Sequence, residues 1–283
     1  TSDGNITARS GGAIVVDRIL TMSGAGDVTL TAGSDITVNR QIVSVRDGDI
    51  SLTAANDVRL NDSVSGKGAG DVSILAQAGD IALGGSVEDQ FIATNSGDIM
   101  LEATTGRVLI ERTNTVPFRT SVNSRSGDID IVAGTEIRVA GGDGVAQASE
   151  IGGSRNSSDV TLTAPMISVL AGDGVSQSTA DIIGGLGGSL TINTDALVVE
   201  NGDAGARGSV QGLNGADLTI NSPSQTWDGF VRGSGDVTLT GDITASVRPR
   251  FILDPGADFS LNMTTPSNAF EAATVPLHVA TTG

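Results

Sequence analysis

Residues 26–38, GDVTLTAGSDITV, carry the pattern that decides the fold. Val28, Leu30 and Ala32 alternate with threonines, which is the period of a strand with one buried face. After a turn rich in Gly, Ser and Asp, Ile36 and Val38 start the alternation again. The segment therefore predicts two short strands separated by a turn.

The same phrase recurs along the whole chain. Its second residue occurs at positions 5, 27, 49, 71, 98, 128, 159, 189, 217, 236 and 258. The first intervals are 22 residues, and insertions lengthen the middle ones to between 27 and 31. A third apolar segment, with Ile42, Val43 and Val45 in one unit, precedes the next phrase. Such self-similarity predicts a solenoid, in which each repeat packs only on its neighbours.

Stacking of these units predicts an all-β parallel β-helix (β-solenoid) with about three strands per coil and about eleven coils. We assign residues 1–263 to the helix and residues 264–283 to an extended C-terminal tail. Val28, Ile50 and Val72 then belong to one aliphatic column. The extra residues of the longer units fall in the third segment, which predicts loops at one corner.

The composition fits a thin aliphatic core. The chain has no Cys, no Tyr, one Trp and six Phe, so thiol catalysis, cysteine zinc sites and disulfides are excluded. Gly occurs 39 times and Pro 7 times, which favours positive-φ glycines at recurrent turns over a disordered linker.

The net charge of -17 argues against nucleic acid and anionic membranes as partners, because both attract basic surfaces. No apolar stretch approaches the roughly 18 residues of a membrane span, and the N-terminus lacks a signal-peptide pattern. We expect no membrane insertion, and an exported protein would be present here in its mature or excised form.

The phrases GDVTLTA followed by GSDITV, and GDISLTA followed by NDVRL, resemble the repeats of filamentous haemagglutinin-like, two-partner-secreted bacterial exoproteins. The likeness covers roughly residues 4–263. It implies a right-handed β-helix that is secreted or held at the bacterial surface and acts in attachment, biofilm or cell contact. Host-cell or matrix glycans or proteins would be its partners, and no catalytic residue is implied.

The Asp that opens most units would form a column of like charges. We expect each carboxylate to accept backbone N–H groups of its own turn, as in an Asx-type turn. Calcium bridging successive carboxylates is the alternative. The nine-residue GGxGxDxUx repeat that binds calcium in other solenoids is missing.

A second acidic set lies in the longest units. GGDGVAQ, AGDGVSQ and NGDAGAR place Asp143, Asp173 and Asp203 at intervals of 30, which makes them candidate calcium ligands. The inserts that follow the first two place Glu150 and Asp181 in candidate interaction loops. The alternative is a tight GDG turn repeated by duplication, and no other cofactor is expected.

Two further functions, polysaccharide cleavage and ice binding, fit the residues less well. A polysaccharide-active enzyme would need arranged carboxylates, but His278 lies outside the coils and Trp227 alone is available to stack on a sugar. Outward Thr rows suggest ice binding, but Met100 and Asp130 interrupt them. We therefore predict a structural or adhesive protein and no enzyme.

The open strand edges at the ends of a solenoid need a cover. Four tail residues are predicted to cap the last coil or to add to a neighbouring molecule: Phe270, Val275, Leu277 and Val279. The second arrangement predicts self-assembling filaments that stack head to tail. The solenoid ends would thus contact another copy or the rest of a longer chain.

Overall fold

A computed structural model describes residues 4–84, 89–111, 119–142, 148–152, 159–173, 178–245, 250–254, 256–262 and 278–281. These residues form strands joined by turns, with one short 3-10 turn at Asp203–Gly205. The strands pair in parallel and build a 17-stranded and an 11-stranded sheet. The predicted all-β parallel class is confirmed.

The 17-stranded sheet contains the first two segments of each repeat, which we call the first and second columns. The first column holds Ile6–Ser10, Val28–Ala32, Ile50–Ala54, Val72–Ala76, Ile99–Ala103, Ile129–Ala133 and Phe259–Asn262. The second column holds Ile14–Val16, Ile36–Val38, Val58–Leu60, Ile81–Leu83, Arg107–Glu111 and Glu136–Ala140. Four long strands belong to both columns: Val160–Leu170, Ser189–Glu200, Asp217–Trp227 and Val237–Ala245.

The 11-stranded sheet is the third segment of each repeat, which we call the third column. Its members are Leu20–Met22, Ile42–Ser44, Val64–Gly66, Gln90–Thr94, Arg119–Ser124, Ala148–Gly152, Thr179–Gly184, Gly208–Gly212, Phe230–Gly233, Arg250–Leu253 and His278–Thr281. Consecutive strands of this column come from consecutive repeats. The order of the strands in the sheet therefore follows the order of the repeats.

The register follows the hydrophobic pattern of the sequence. Val28 lies opposite Ile50, Ile50 opposite Val72, and the same row continues through Ile99 and Ile129. All five side chains are essentially buried, whereas the residues that follow them point outward and are half-buried or exposed. A slip of one residue would turn every aliphatic side chain to the outside, so the core fixes the register.

Glycine opens most of the repeats, and at several of these positions its role differs from the one predicted. The glycines with positive φ among the described residues include Gly152 and Gly241, but not Gly48, Gly70 or Gly97. A Cβ on Gly70 would lie 2.3 Å from the carbonyl oxygen of Gly48, and one on Gly97 would lie 2.0 Å from that of Gly70. The expectation of positive φ is therefore wrong for Gly48, Gly70 and Gly97, where closely stacked backbones leave no room for a Cβ. It is confirmed in later turns, where Gly187, Gly215 and Gly256 have positive φ.

Replacement of Gly70 by Ala tests this steric requirement. We expect the free energy of unfolding of Gly70→Ala to fall by about 1–3 kcal/mol, because the added methyl group must push two stacked backbones apart. Gly11→Ala is the matched control, since a Cβ on Gly11 meets no heavy atom within 4 Å. Urea unfolding followed by circular dichroism measures both variants. Equal midpoints for the two would contradict the stacking account.

Candidate functional site

The aspartates that open the repeats are linked by a ladder of hydrogen bonds. The backbone N–H of Asp49 donates to Oδ1 of Asp27 at 3.0 Å, and that of Asp71 donates to Oδ1 of Asp49 at 2.9 Å. The same bond joins Asp98 to Asp71, Asp128 to Asp98, Asp159 to Asp128, Asp236 to Asp217 and Asp258 to Asp236. We call this set the aspartate ladder.

The expectation that each carboxylate accepts N–H groups of its own turn is wrong. The carboxylates of the ladder accept a backbone N–H of the next repeat instead. The carbonyl of Asp49 accepts from the N–H of Val28, so the backbone pairing of the two repeats begins at that bond. The N–H of Asp49 lies before it and receives its acceptor from the side chain of Asp27. A side-chain oxygen thus adds one hydrogen bond between the two repeats, just before the backbone pairing of the sheet begins.

The ladder does not require a negative charge at every position. In the first repeat Asn5 supplies the acceptor, through its Oδ1, for the N–H of Asp27 at 3.0 Å. At Ser189 the acceptor column is interrupted, although Oδ1 of Asp159 accepts from both the N–H and the hydroxyl of Ser189, at 2.7 and 3.0 Å. An oxygen acceptor is the shared requirement, and the charge is secondary.

A shorter ladder runs along the start of the second column. Oδ1 of Asp35 accepts from the N–H of Asp57, Oδ1 of Asp57 from that of Asp80, and Oδ1 of Asp80 from that of Arg107. The Arg107 guanidinium also contacts Oδ2 of Asp80 at 2.7 Å. Burial raises the pKa of Asp80, but the hydrogen bonds and charge of Arg107 outweigh it and lower the pKa. This ladder therefore carries its own countercharge.

The predicted calcium ligands are only partly within the described residues. Oδ1 of Asp173 accepts from the N–H of Asp203 at 2.9 Å, the contact of the aspartate ladder at another corner. Asp203 itself begins the 3-10 turn. Asp143 lies outside the described residues. Within those residues, no group of three His, Cys, Asp or Glu side chains is arranged to hold a metal ion, and the calcium site stays a prediction.

Glu150 and Asp181 lie on strands of the third column and not in the loops predicted for them. They stand directly opposite each other in the pairing of Ala148–Gly152 with Thr179–Gly184. Ser149 and Ile151 on either side of Glu150 are buried, so Glu150 projects from the outer face. The sequence signal for these two strands was an outward acid between two inward residues, in SEI at 149–151 and ADI at 180–182. Neighbouring glycines obscured that signal.

The two carboxyl groups have different partners. Nη2 of Arg119 contacts Oε2 of Glu150 at 3.3 Å, and the hydroxyl of Ser209 donates to Oδ1 of Asp181. Burial raises the pKa of Glu150, Arg119 opposes that rise and Asp181 adds to it. Burial also raises the pKa of Asp181, against hydrogen bonds from Ser209 and Thr179 and the charges of Arg119 and Arg207. We call these two residues the carboxyl pair.

The single tryptophan belongs to the core and is not available to stack on a sugar. Trp227 has no exposed surface, and its ring centroid lies 5.9 Å from that of Phe251. Its Nε1 donates to Oε1 of the buried Gln225 at 3.2 Å, and Nε2 of Gln225 donates to the carbonyl of Thr240 at 3.1 Å. The interpretation of Trp227 as a sugar-stacking candidate is therefore wrong.

The predicted tail residues can be placed only in part. Phe270, Val275 and Leu277 lie outside the described residues. The backbone of His278–Thr281 pairs in parallel with Arg250–Leu253 and puts Val279 opposite Phe251. This short strand is thus the last member of the third column among the described residues, at the C-terminal end of the sheet.

The outer face of the first column carries the interruptions noted in the sequence. Met100 lies opposite Asp130, and its side chain is exposed. Burial raises the pKa of Asp130, and the charge of Glu102 adds to the rise. A uniform hydroxyl array for ice binding is therefore absent from the middle of this face.

Comparison with protein-family models, characterised proteins and solved structures finds no match for this chain. Within the described part of the chain, no helix is long and apolar enough to cross a membrane.

Paired substitutions of Asp71 separate its acceptor from its charge. Asp71→Ala removes the acceptor for the N–H of Asp98, so we expect the free energy of unfolding to fall by about 1 kcal/mol. Asp71→Asn keeps an oxygen acceptor and removes one charge from the column, so its stability should equal or exceed that of the parent. Urea unfolding at pH 7 measures both. A loss in the Asn variant as large as in the Ala variant would contradict the acceptor role.

Fluorescence of Trp227 tests the placement of its ring. Because the indole is fully buried, we expect blue-shifted emission and weak acrylamide quenching in the folded chain, with both features lost in urea. Addition of acidic oligosaccharides should leave emission and quenching unchanged. Red-shifted emission with strong quenching before unfolding would contradict the placement.

Proposed function

We propose that the chain folds as a right-handed parallel β-helix of about eleven coils with three strands in each coil. The parallel columns, with consecutive members from consecutive repeats, support this proposal. The stacked glycines and the aspartate ladder support it too, since both relate one repeat to the next along a common axis. At roughly 4.8 Å per strand, eleven coils give a rod about 50 Å long.

We further propose that this rod is an extracellular structural or adhesive shaft of a secreted or surface-bound bacterial protein, acting in attachment, biofilm or cell contact. The observation that carries the proposal is that the aspartates at the start of the repeats bind the backbone of the protein itself. The acceptors of the aspartate ladder bind the backbone of the next repeat, which stiffens the rod. The filamentous haemagglutinin-like pattern of the phrases supports the same class.

The proposed partners are glycans or proteins of a host cell or matrix, and the rest of a longer chain. A shaft presents repeated, nearly identical surface along its length, which suits many weak contacts more than one deep pocket. The strong negative charge of the chain disfavours anionic surfaces and nucleic acid.

Self-assembly into head-to-tail filaments is the second candidate function. In the described part of the chain, Ile6–Ser10 pairs on one side with Val28–Ala32, and Phe259–Asn262 pairs on one side with Val237–Ala245. Each strand has a second edge with peptide groups able to pair with a parallel strand. Such pairing between copies would lengthen the rod without changing its cross-section.

Electron microscopy and an adhesion assay test the two candidates. We expect single rods about 50 Å long, and beads coated with the folded chain should retain host cells or matrix glycans more than beads coated with urea-denatured chain. Rods in multiples of that length would support the filament. Retention equal to that of the denatured coating, or depolymerisation of acidic polysaccharides, would contradict the adhesive shaft.

A further inference from the structure

The carboxyl pair brings two acids together on one face of the third column. Glu150 and Asp181 are direct neighbours in a parallel pairing, and neighbouring strands lie about 4.8 Å apart. Side chains at such positions point the same way. The fold therefore holds the two carboxyl groups side by side, whatever their charge.

The countercharge at the pair is incomplete. Arg119 contacts Glu150, but 68% of its side chain is exposed, so water screens its charge. Asp181 has a neutral hydrogen-bond donor in Ser209, whose Oγ in turn accepts from Nε2 of Gln211 at 2.7 Å. Arg207 acts on Asp181 through its charge alone. Thr179 is a second hydroxyl donor to Asp181. Two neutral hydroxyls, one screened ion pair and the charge of Arg207 thus face the two carboxyl groups.

Other charged side chains on the strands packed nearby have partners of their own. Oε1 of Glu136 accepts from the hydroxyl of Ser168 at 2.8 Å, and Nε of Arg138 lies 3.3 Å from Oε2 of Glu111. Glu200, at the end of Ser189–Glu200, is exposed. Among the described residues, Arg119 and Arg207 are therefore the cations that oppose the repulsion within the pair.

We propose that Glu150 and Asp181 form a pH-sensitive element that shares one proton in mild acid and stabilises the middle of the third column. Loss of that proton as the pH rises leaves two adjacent carboxylates and weakens the pairing of the two strands. The strand pairing at this element is therefore more stable in mild acid than at neutral pH. The pair keeps this property whether or not the rod is adhesive.

The direction in which stability changes with pH follows from proton linkage. Burial raises the pKa of both groups above their values in the unfolded chain, so the folded state holds more protons between the two sets of values. The contribution to stability is fully present below the unfolded pKa and is lost as the pH rises through the folded pKa. The stability contribution therefore begins to fall as the pH rises above about 4, and it continues to fall up to the folded pKa values.

Carbon-13 NMR of the side-chain carboxyl groups in the full chain tests the proposal from pH 3.5 to 8.5. We expect Glu150 and Asp181 to titrate together in two steps, with the second midpoint well above the ordinary value of about 4. In Asp181→Asn the midpoint of Glu150 should fall toward the ordinary range. Asp195→Asn, which removes an exposed carboxylate elsewhere, is the control and should leave both curves unchanged.

Hydrogen exchange supplies the readout of local stability. Protection factors of the amides in Ala148–Gly152 and Thr179–Gly184 should fall about tenfold per pH unit across the window, as one linked proton requires. The double variant Glu150→Gln, Asp181→Asn should make them independent of pH. Independent titration of both carboxyl groups near pH 4 in the parent chain, or the same decline in the double variant, would overturn the proposal.

Discussion

The bond from the first amide of most repeats to a side-chain oxygen of the previous one is the interaction on which the rest of the structure depends. It places the start of each repeat over the start of the one before, as Asp71 does for Asp98. Glycine beside it lets the two backbones approach, since a side chain on Gly97 would meet the carbonyl of Gly70. Together the two features hold the starts of neighbouring strands over one another, in the same register that the buried aliphatic rows require.

The ladder also balances two opposing electrostatic effects. Stacked carboxylates repel one another, but each one satisfies a backbone donor that the sheet pairing leaves without an acceptor. Asn5 at the first position indicates that the acceptor matters more than the charge. In the second column, Arg107 neutralises Asp80 directly. The carboxyl pair departs from both solutions, because its two acids face each other across neighbouring strands with partial countercharge.

Much of the fold could be predicted because strand alternation and repeat spacing are both written in the sequence. The row from Val28 to Ile129 follows from those two periods alone. The target of each Asp side chain could not be predicted, since its own turn and the next repeat are both within reach of a short side chain. The steric role of glycine could not be predicted either, because the distance between stacked backbones is set by the packing of the repeats and is not visible in one repeat. Glu150 and Asp181 were assigned to loops because glycines flank both of their strands. In the strand of Glu150, the inward residue Ser149 is also polar.

Scalar coupling across hydrogen bonds tests the ladder most directly. In deuterated, carbon-13 and nitrogen-15 labelled protein, a long-range HNCO experiment detects an amide nitrogen together with the carbon of the group that accepts its proton. The account predicts cross-peaks from the amide nitrogens of Asp49, Asp71 and Asp98 to the side-chain carboxyl carbons of Asp27, Asp49 and Asp71. Cross-peaks to a carboxyl carbon within the same turn, with none to the previous repeat, would contradict it.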